Sequence, residues 1–171
     1  MAKSPSQNER ALQEMGLKGT ADCLSYRVAV KSIERVADHA VGISSKLLRL
    51  NKKITKETFD KIQKMSHLSL SVLNDSVEAF LRRDYVLADS VVDKAEDVRS
   101  LEADVISFLD RENTMDGEST NVDIKIILED IRRTAEHASD IAEAAMNQTI
   151  GEVIQVRSVS QREKEKDIAG T

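Results

Sequence analysis

Hydrophobic residues recur along this chain at spacings of three and four, which is the period of an amphipathic α-helix. The first such segment spans about 22–50 and follows Thr20, a residue suited to cap a helix. Its seam is predicted at Tyr26, Ala29, Ile33, Val36, Ala40, Ile43, Leu47 and Leu50. This sustained heptad spacing is typical of left-handed bundle packing. Residues 51–54 are expected to form the turn that follows.

The same period predicts three further helices. The second runs from a Thr55 cap to about 83, the third from 85 to about 109 and the fourth from 121 to about 149, with a loop at 113–118. Their buried stripes are predicted at Leu70, Leu73, Val77 and Phe80, at Val91, Ala95, Val98, Leu101, Val105 and Phe108, and at Ile124, Leu128, Ile131, Ala135, Ala138, Ala142 and Ala145. Asp84 can end the second helix and cap the third. Four long helices with short connections predict an all-α, antiparallel up-down four-helix bundle.

The bundle is expected to occupy 20–151. Residues 1–19 before it are expected to be flexible or to form a short helix. Residues 152–171 after it contain a charged run and are expected to form a polar tail.

Composition supports long helices. The chain of 171 residues has one Pro, six Gly and no Trp, and 32% of its residues are charged. A net charge of −5 argues against a nucleic-acid surface, which would need clustered Lys and Arg. A single Cys excludes an internal disulfide. Because no apolar run approaches the ~20 residues of a membrane span, we expect a cytoplasmic protein.

Eleven residues occur twice, 98 positions apart. The segment from Ile33 to Ile43 returns at 131–141, and six of the eleven positions are identical. The first copy places Glu34 and Asp38 one turn apart, roughly 100–140° around the helix from Ile33. Such a pair either lies on a solvated face or supplies oxygen ligands to a shared cation.

His39 and His137 hold matching positions in the two copies, and each is expected to make a surface or inter-helix hydrogen bond. The sequence shows no E-x-x-H or H-E-x-x-H motif, no Gly-rich phosphate loop and no Ser-His-Asp or Cys-His set. Since no residue is placed as a nucleophile or as a poised base, we expect a protein that is not an enzyme.

The first copy resembles a known family signature. Residues 32–40, S-I-E-R-V-A-D-H-A, are similar to the S-I-E-R-I-G/A-D-H-A motif of the PhoU family of phosphate-signalling regulators. Residues 74–80 and the pair Asp93-Lys94 resemble the family's D-x-x-x-A-F and D-K segments. The resemblance covers about 22–150. It implies that the first helix ends one three-helix repeat and that the next three form the second. The chain then resembles the C-terminal two-thirds of a PhoU protein, and its diverged second copy is most similar to the archaeal branch.

The resemblance also implies a function. PhoU proteins link a phosphate ABC transporter to a sensor kinase or a transcriptional output. Several bind iron or zinc clusters on the bundle surface through E(D)-x-x-x-D motifs. Glu34 and Asp38 match that motif in full. In the second copy Arg132 replaces the first acid, and Glu136 with Asp140 restores an acid pair one turn later, so a shifted metal cluster there is the weaker expectation.

The first helix lacks its own repeat partners, so it is expected to expose apolar surface and to cause self-association into a homo-oligomer. Contact with a membrane is expected only through a partner protein. Two alternatives stay open: an accessory protein of a low-affinity phosphate transporter, and a ligand-free dimerising bundle. A metalloenzyme bundle would need acids and histidines converging in the core, whereas Glu34 and Asp38 flank the seam.

Overall fold

The computed structural model describes residues 10, 14, 17, 19–50, 54–112 and 118–169, and the side chains of 21–50, 54–112 and 122–151 among the helices. Over these residues the chain forms four long helices and no strand. The helices are α1 (Thr20–Leu47), α2 (Lys56–Arg82), α3 (Tyr85–Glu112) and α4 (Glu118–Ala169). The all-α bundle prediction is therefore confirmed. Most of 1–19, of the turn at 51–54 and of the loop at 113–118 lies outside the described residues. The fourth helix continues to Ala169, past its predicted end at 149 and through most of the expected tail.

Two short polar signals define the hairpin of α2 and α3. The Thr55 hydroxyl accepts a hydrogen bond from the Thr58 amide at 3.2 Å, and Asp84 Oδ1 accepts one from the Leu87 amide at 3.0 Å. Between the two helices Arg83 adopts the left-handed conformation, with φ 54° and ψ 38°. The predicted caps at Thr55 and Asp84 are thus confirmed, and two residues suffice to reverse the chain. The cap predicted at Thr20 is wrong, because α1 begins at Thr20 and Gly19 holds the N-cap position without a side-chain bond.

Helices α2, α3 and α4 pack against one another as a three-helix unit. Its centre includes the fully buried Met65, Val72, Val98 and Leu128. All seven stripe positions predicted for the fourth helix are buried. The prediction for Leu70 is wrong, because this side chain is exposed and the buried face of α2 instead carries Ser69 and Ser76. The Ser69 hydroxyl donates to the Ile131 carbonyl at 2.9 Å, which satisfies a buried polar group that a purely apolar pattern overlooks.

Helix α1 packs along its length on α4, antiparallel to it. Its contact with α2 lies at one end. There the Tyr26 ring meets the Phe80 ring edge-on at 5.0 Å, and Arg83 Nη2 pairs with Asp22 Oδ2 at 3.1 Å. Further along, Ile33 and Val36 of α1 and Leu73 and Val77 of α2 line an open groove between the two helices.

The predicted seam of α1 is half wrong. From Ser25 onward the α4-facing side alternates polar and apolar residues, at Ser25, Ala29, Ser32, Val36, His39, Ile43, Lys46 and Leu50. By contrast Tyr26, Ile33, Ala40 and Leu47 are exposed, and Ile33 retains 48% of its accessible surface. The predicted seam combined residues from two faces of α1. Every second position on the α4-facing side is a serine, a histidine or a lysine, and a search for hydrophobic residues misses these positions.

Among the described residues no helix is sufficiently long and apolar to cross a membrane.

Candidate functional site

The two copies of the eleven-residue repeat face each other where α1 crosses α4. The rings of His39 and His137 lie nearly parallel, with 18° between their planes and 5.5 Å between their centroids. The Ser32 hydroxyl lies 3.4 Å from Asp140 Oδ2. The repeat-equivalent pair also meets, since a Cβ added to Gly42 would lie 3.0 Å from Asp130 Oδ2. Matching positions on antiparallel helices therefore meet about a local two-fold that passes between the two histidines.

Two carboxylates hold the histidines. Asp130 Oδ1 lies 2.9 Å from His39 Nδ1, and its Oδ2 accepts from Lys46 Nζ at 2.9 Å. Asp140 Oδ2 lies 3.1 Å from His137 Nδ1. Since an ionised carboxylate can only accept, each Nδ1 carries a proton in this arrangement. We call the six residues Ser32, His39, Lys46, Asp130, His137 and Asp140 the histidine seam.

The histidine seam was predicted in part. An inter-helix bond for His39 is confirmed by its contact with Asp130. Asp130 and Lys46 were missed, because acids were paired only within one helix and only inside the repeated segment. Asp130 lies one residue before the second copy and aligns with Ser32, so extending the repeat by one position would have included it.

Glu34 and Asp38 lie on the exposed side of α1. Lys31 Nζ donates to Glu34 Oε2 at 2.9 Å, and this hydrogen bond with the Lys31 charge holds the pKa of Glu34 below its ordinary value. Asp38 makes no hydrogen bond or ion pair with any residue that the structure describes. The pair can offer two carboxylates one turn apart to a cation, provided that Lys31 releases Glu34.

Glu136 and Asp140, unlike Asp38, already have partners on neighbouring side chains. Glu136 pairs with Arg132 one turn before it, and Arg99 Nη2 lies 3.2 Å from its Oε1. Arg132 also holds Glu102, whose pKa is raised by burial. Asp140 belongs to the histidine seam. A cation would have to displace these arginines, so the second acid pair fits a metal poorly.

The four acids predicted as metal ligands, Glu34, Asp38, Glu136 and Asp140, do not come together in one group. Within the described part of the chain, no three side chains of His, Cys, Asp or Glu come together in a group that could hold a metal ion. A metal at Glu34 and Asp38 would therefore take its other ligands from water or from a second molecule.

Residues 62–145 match the family model of the PhoU domain. The chain is a PhoU-domain protein. The match covers most of α2, all of α3 and α4 as far as Ala145, which is the three-helix unit. The family that the sequence signature suggested is thereby confirmed, although α1 with Glu34 and Asp38 lies outside the matched residues. No curated protein and no solved structure gives a significant match.

Proposed function

We propose that this PhoU-domain protein controls phosphate uptake and phosphate-starvation signalling by binding partner proteins. The PhoU domain is that of phosphate-transport regulators, and its match to the three-helix unit is the observation that carries the proposal. The partners would be a phosphate ABC transporter or a sensor kinase. The five titratable groups of the histidine seam pair among themselves across or along the helices, which suits a packing role better than a catalytic one.

Deletion of the gene in its host tests this role. We expect phosphate uptake and phosphate-starvation transcripts to stay high in phosphate-rich medium, and the intact gene to restore repression. Unchanged transcripts combined with a loss of low-affinity uptake would instead favour the accessory-protein alternative. No change in either quantity would contradict both.

We further propose that Glu34 and Asp38 bind iron or zinc on the α1 surface. Both carboxylates are exposed on one face of the helix and Asp38 has no partner among the described residues. Carboxylate oxygens suit iron, and zinc also accepts them. Glu136 and Asp140 are left out of this site because arginine, histidine and serine occupy them.

The metal site can be tested against a matched pair of acids. Asp60 on α2 and Asp104 on α3 are also exposed, but neither has a second acid four residues away. After purification without chelator, we expect Glu34→Gln/Asp38→Asn to lower the iron or zinc content and Asp60→Asn/Asp104→Asn to leave it unchanged. Equal metal content in wild type and in both variants would remove Glu34 and Asp38 as ligands.

A further inference from the structure

The two histidines of the histidine seam stand between its two aspartates along the contact of α1 with α4. The contacts that α1 makes with Asp130 and Asp140 fix its antiparallel register on α4. On this register His137 lies opposite residue 35 of α1, one helical turn before His39. The order along the contact is therefore Asp140, His137, His39 and Asp130.

This order directs the second nitrogen of each ring toward the other histidine. Each Nδ1 bonds to the aspartate on its outer side, His137 to Asp140 at 3.1 Å and His39 to Asp130 at 2.9 Å. Because Nδ1 and Nε2 lie on opposite sides of an imidazole ring, both Nε2 atoms face the space between the histidines. With Nδ1 protonated, each Nε2 carries a free lone pair.

The two Nε2 atoms are open to solvent. Neither has a hydrogen-bond partner among the residues that the structure describes. In that part of the chain, the amide atoms of Gln148 are the only side-chain N and O atoms that are both buried and unpartnered. The side chains of His39 and His137 retain 19% and 13% of their accessible surface, so water or a small ion can reach the rings.

We propose that His39 and His137 bind one Zn²⁺ through their Nε2 atoms. Two imidazoles bound to one tetrahedral zinc at ~2.0–2.1 Å have ring centroids about 5 Å apart. Here the centroids are 5.5 Å apart, and at that distance the nearly parallel rings are offset rather than superposed. The two remaining positions of the ion are filled by water, since no third His, Cys, Asp or Glu side chain joins the pair within the described residues.

The surroundings of the two rings suit a zinc ligand pair. A metal-bound histidine usually donates its other ring N–H to a carboxylate, which fixes the tautomer and raises the basicity of the ligand. Asp130 and Asp140 already accept such bonds, and with Lys46 they give the seam a net charge of −1 when both imidazoles are neutral. Imidazole nitrogen favours zinc over magnesium or calcium, which prefer oxygen. This inference is independent of the phosphate proposal and of the site at Glu34 and Asp38, which uses another face of α1.

Zinc titration of the full chain in competition with a chromophoric chelator tests the site. The background is Glu34→Gln/Asp38→Asn, so that the exposed acid pair cannot contribute. We expect this variant to bind one Zn²⁺, and an added His39→Asn or His137→Asn to raise the zinc dissociation constant at least ~10-fold. His67→Asn is the matched control, because His67 is an exposed histidine of α2 without a partner among the described residues. It should leave the zinc affinity unchanged.

Chemical modification tests the same nitrogens in the unsubstituted protein, and it stands even where a histidine variant loosens α1. Diethyl pyrocarbonate reacts with unprotonated imidazole nitrogen, and peptide mass spectrometry measures the rate at each histidine. Zinc should slow the modification of His39 and His137 and leave that of His67 unchanged. Equal protection of all three histidines, equal zinc affinity in all variants, or no zinc binding by the Glu34→Gln/Asp38→Asn background would overturn the proposal.

Discussion

Helices α1 and α4 carry the two copies of the eleven-residue repeat, but the two copies differ in their surroundings. On α4 the apolar positions are sealed by α2 and α3, and Ile131 keeps 5% of its surface accessible. On α1 the equivalent Ile33 is half exposed. The polar positions between them meet at the histidine seam. Identical side chains therefore have different energetic weight in the two copies, and paired substitutions can measure the difference.

The largest contrast is expected when a charge is placed at the centre of each copy. Ala138→Glu would bury an unpaired carboxylate at a fully enclosed position and should lower the free energy of unfolding by about 3–5 kcal/mol. Ala40→Glu should change it by less than about 0.5 kcal/mol, since Ala40 is exposed. Urea denaturation in dilute solution measures both values. Comparable losses in the two variants would show that Ala40 is covered within a single chain.

A smaller contrast is expected for the paired isoleucines. Ile131→Ala should lower the free energy of unfolding by about 2–5 kcal/mol through lost burial and a residual cavity. Ile33→Ala should lower it by about 1 kcal/mol or less, because half of that side chain already meets water. Chemical denaturation again provides the values, and an equal effect at the two sites would contradict the exposure difference.

The helices and the caps of α2 and α3 could be predicted from the sequence because they depend on local signals. Thr55 and Asp84 act within three residues of themselves, and the α4 stripe is continuous and apolar. The face by which α1 packs could not be read in the same way. Its contacts use Ser32, His39 and Lys46, whose partners on α4 are 84 to 108 residues away along the chain. Because these three residues are polar, hydropathy alone predicts that they face solvent.

The candidate site was predictable to a similar degree. The repeat led directly to both histidines and to Glu34 and Asp38. Asp130 was missed, since an acid facing another helix has no periodic signature of its own. The arginine partners of Glu136 were foreseen only for Arg132, the residue one turn away on the same helix; Arg99 comes from α3.

The two aspartates of the histidine seam, Asp130 and Asp140, differ in their exposure and in their partners. Asp130 is 13% exposed and serves both His39 and Lys46, so Asp130→Ala should lower the free energy of unfolding by about 1–3 kcal/mol. Asp140 is 47% exposed, and Asp140→Ala should lower it by less than about 1 kcal/mol. Asp130→Asn keeps one acceptor and should fall between the two. Thermal and urea unfolding would check this order, which the reverse ranking would contradict.

The smallest contrast concerns two helical glycines. Gly151→Ala should raise the free energy of unfolding by up to about 1 kcal/mol, because alanine favours helix and no atom lies within 4 Å of the added methyl group. Gly42→Ala should raise the free energy of unfolding by less, since its methyl group would lie 3.0 Å from Asp130 Oδ2 and 3.3 Å from Lys46 Nζ. Equal gains in the two melting curves would show that the Asp130–Lys46 pair shifts without cost.

The long reach of the contacts between α1 and the remaining helices has a consequence for the order of folding. Ion pairs inside the three-helix unit join residues as close as 15 and 19 positions apart, as in Asp110–Lys125 and Asp75–Lys94. The bonds that hold α1 span 61 to 108 positions. Closing longer loops costs more chain entropy before any contact forms. We expect α1 to dock last and to open first, so that its amide protons exchange with deuterium sooner than those of α2 and α3.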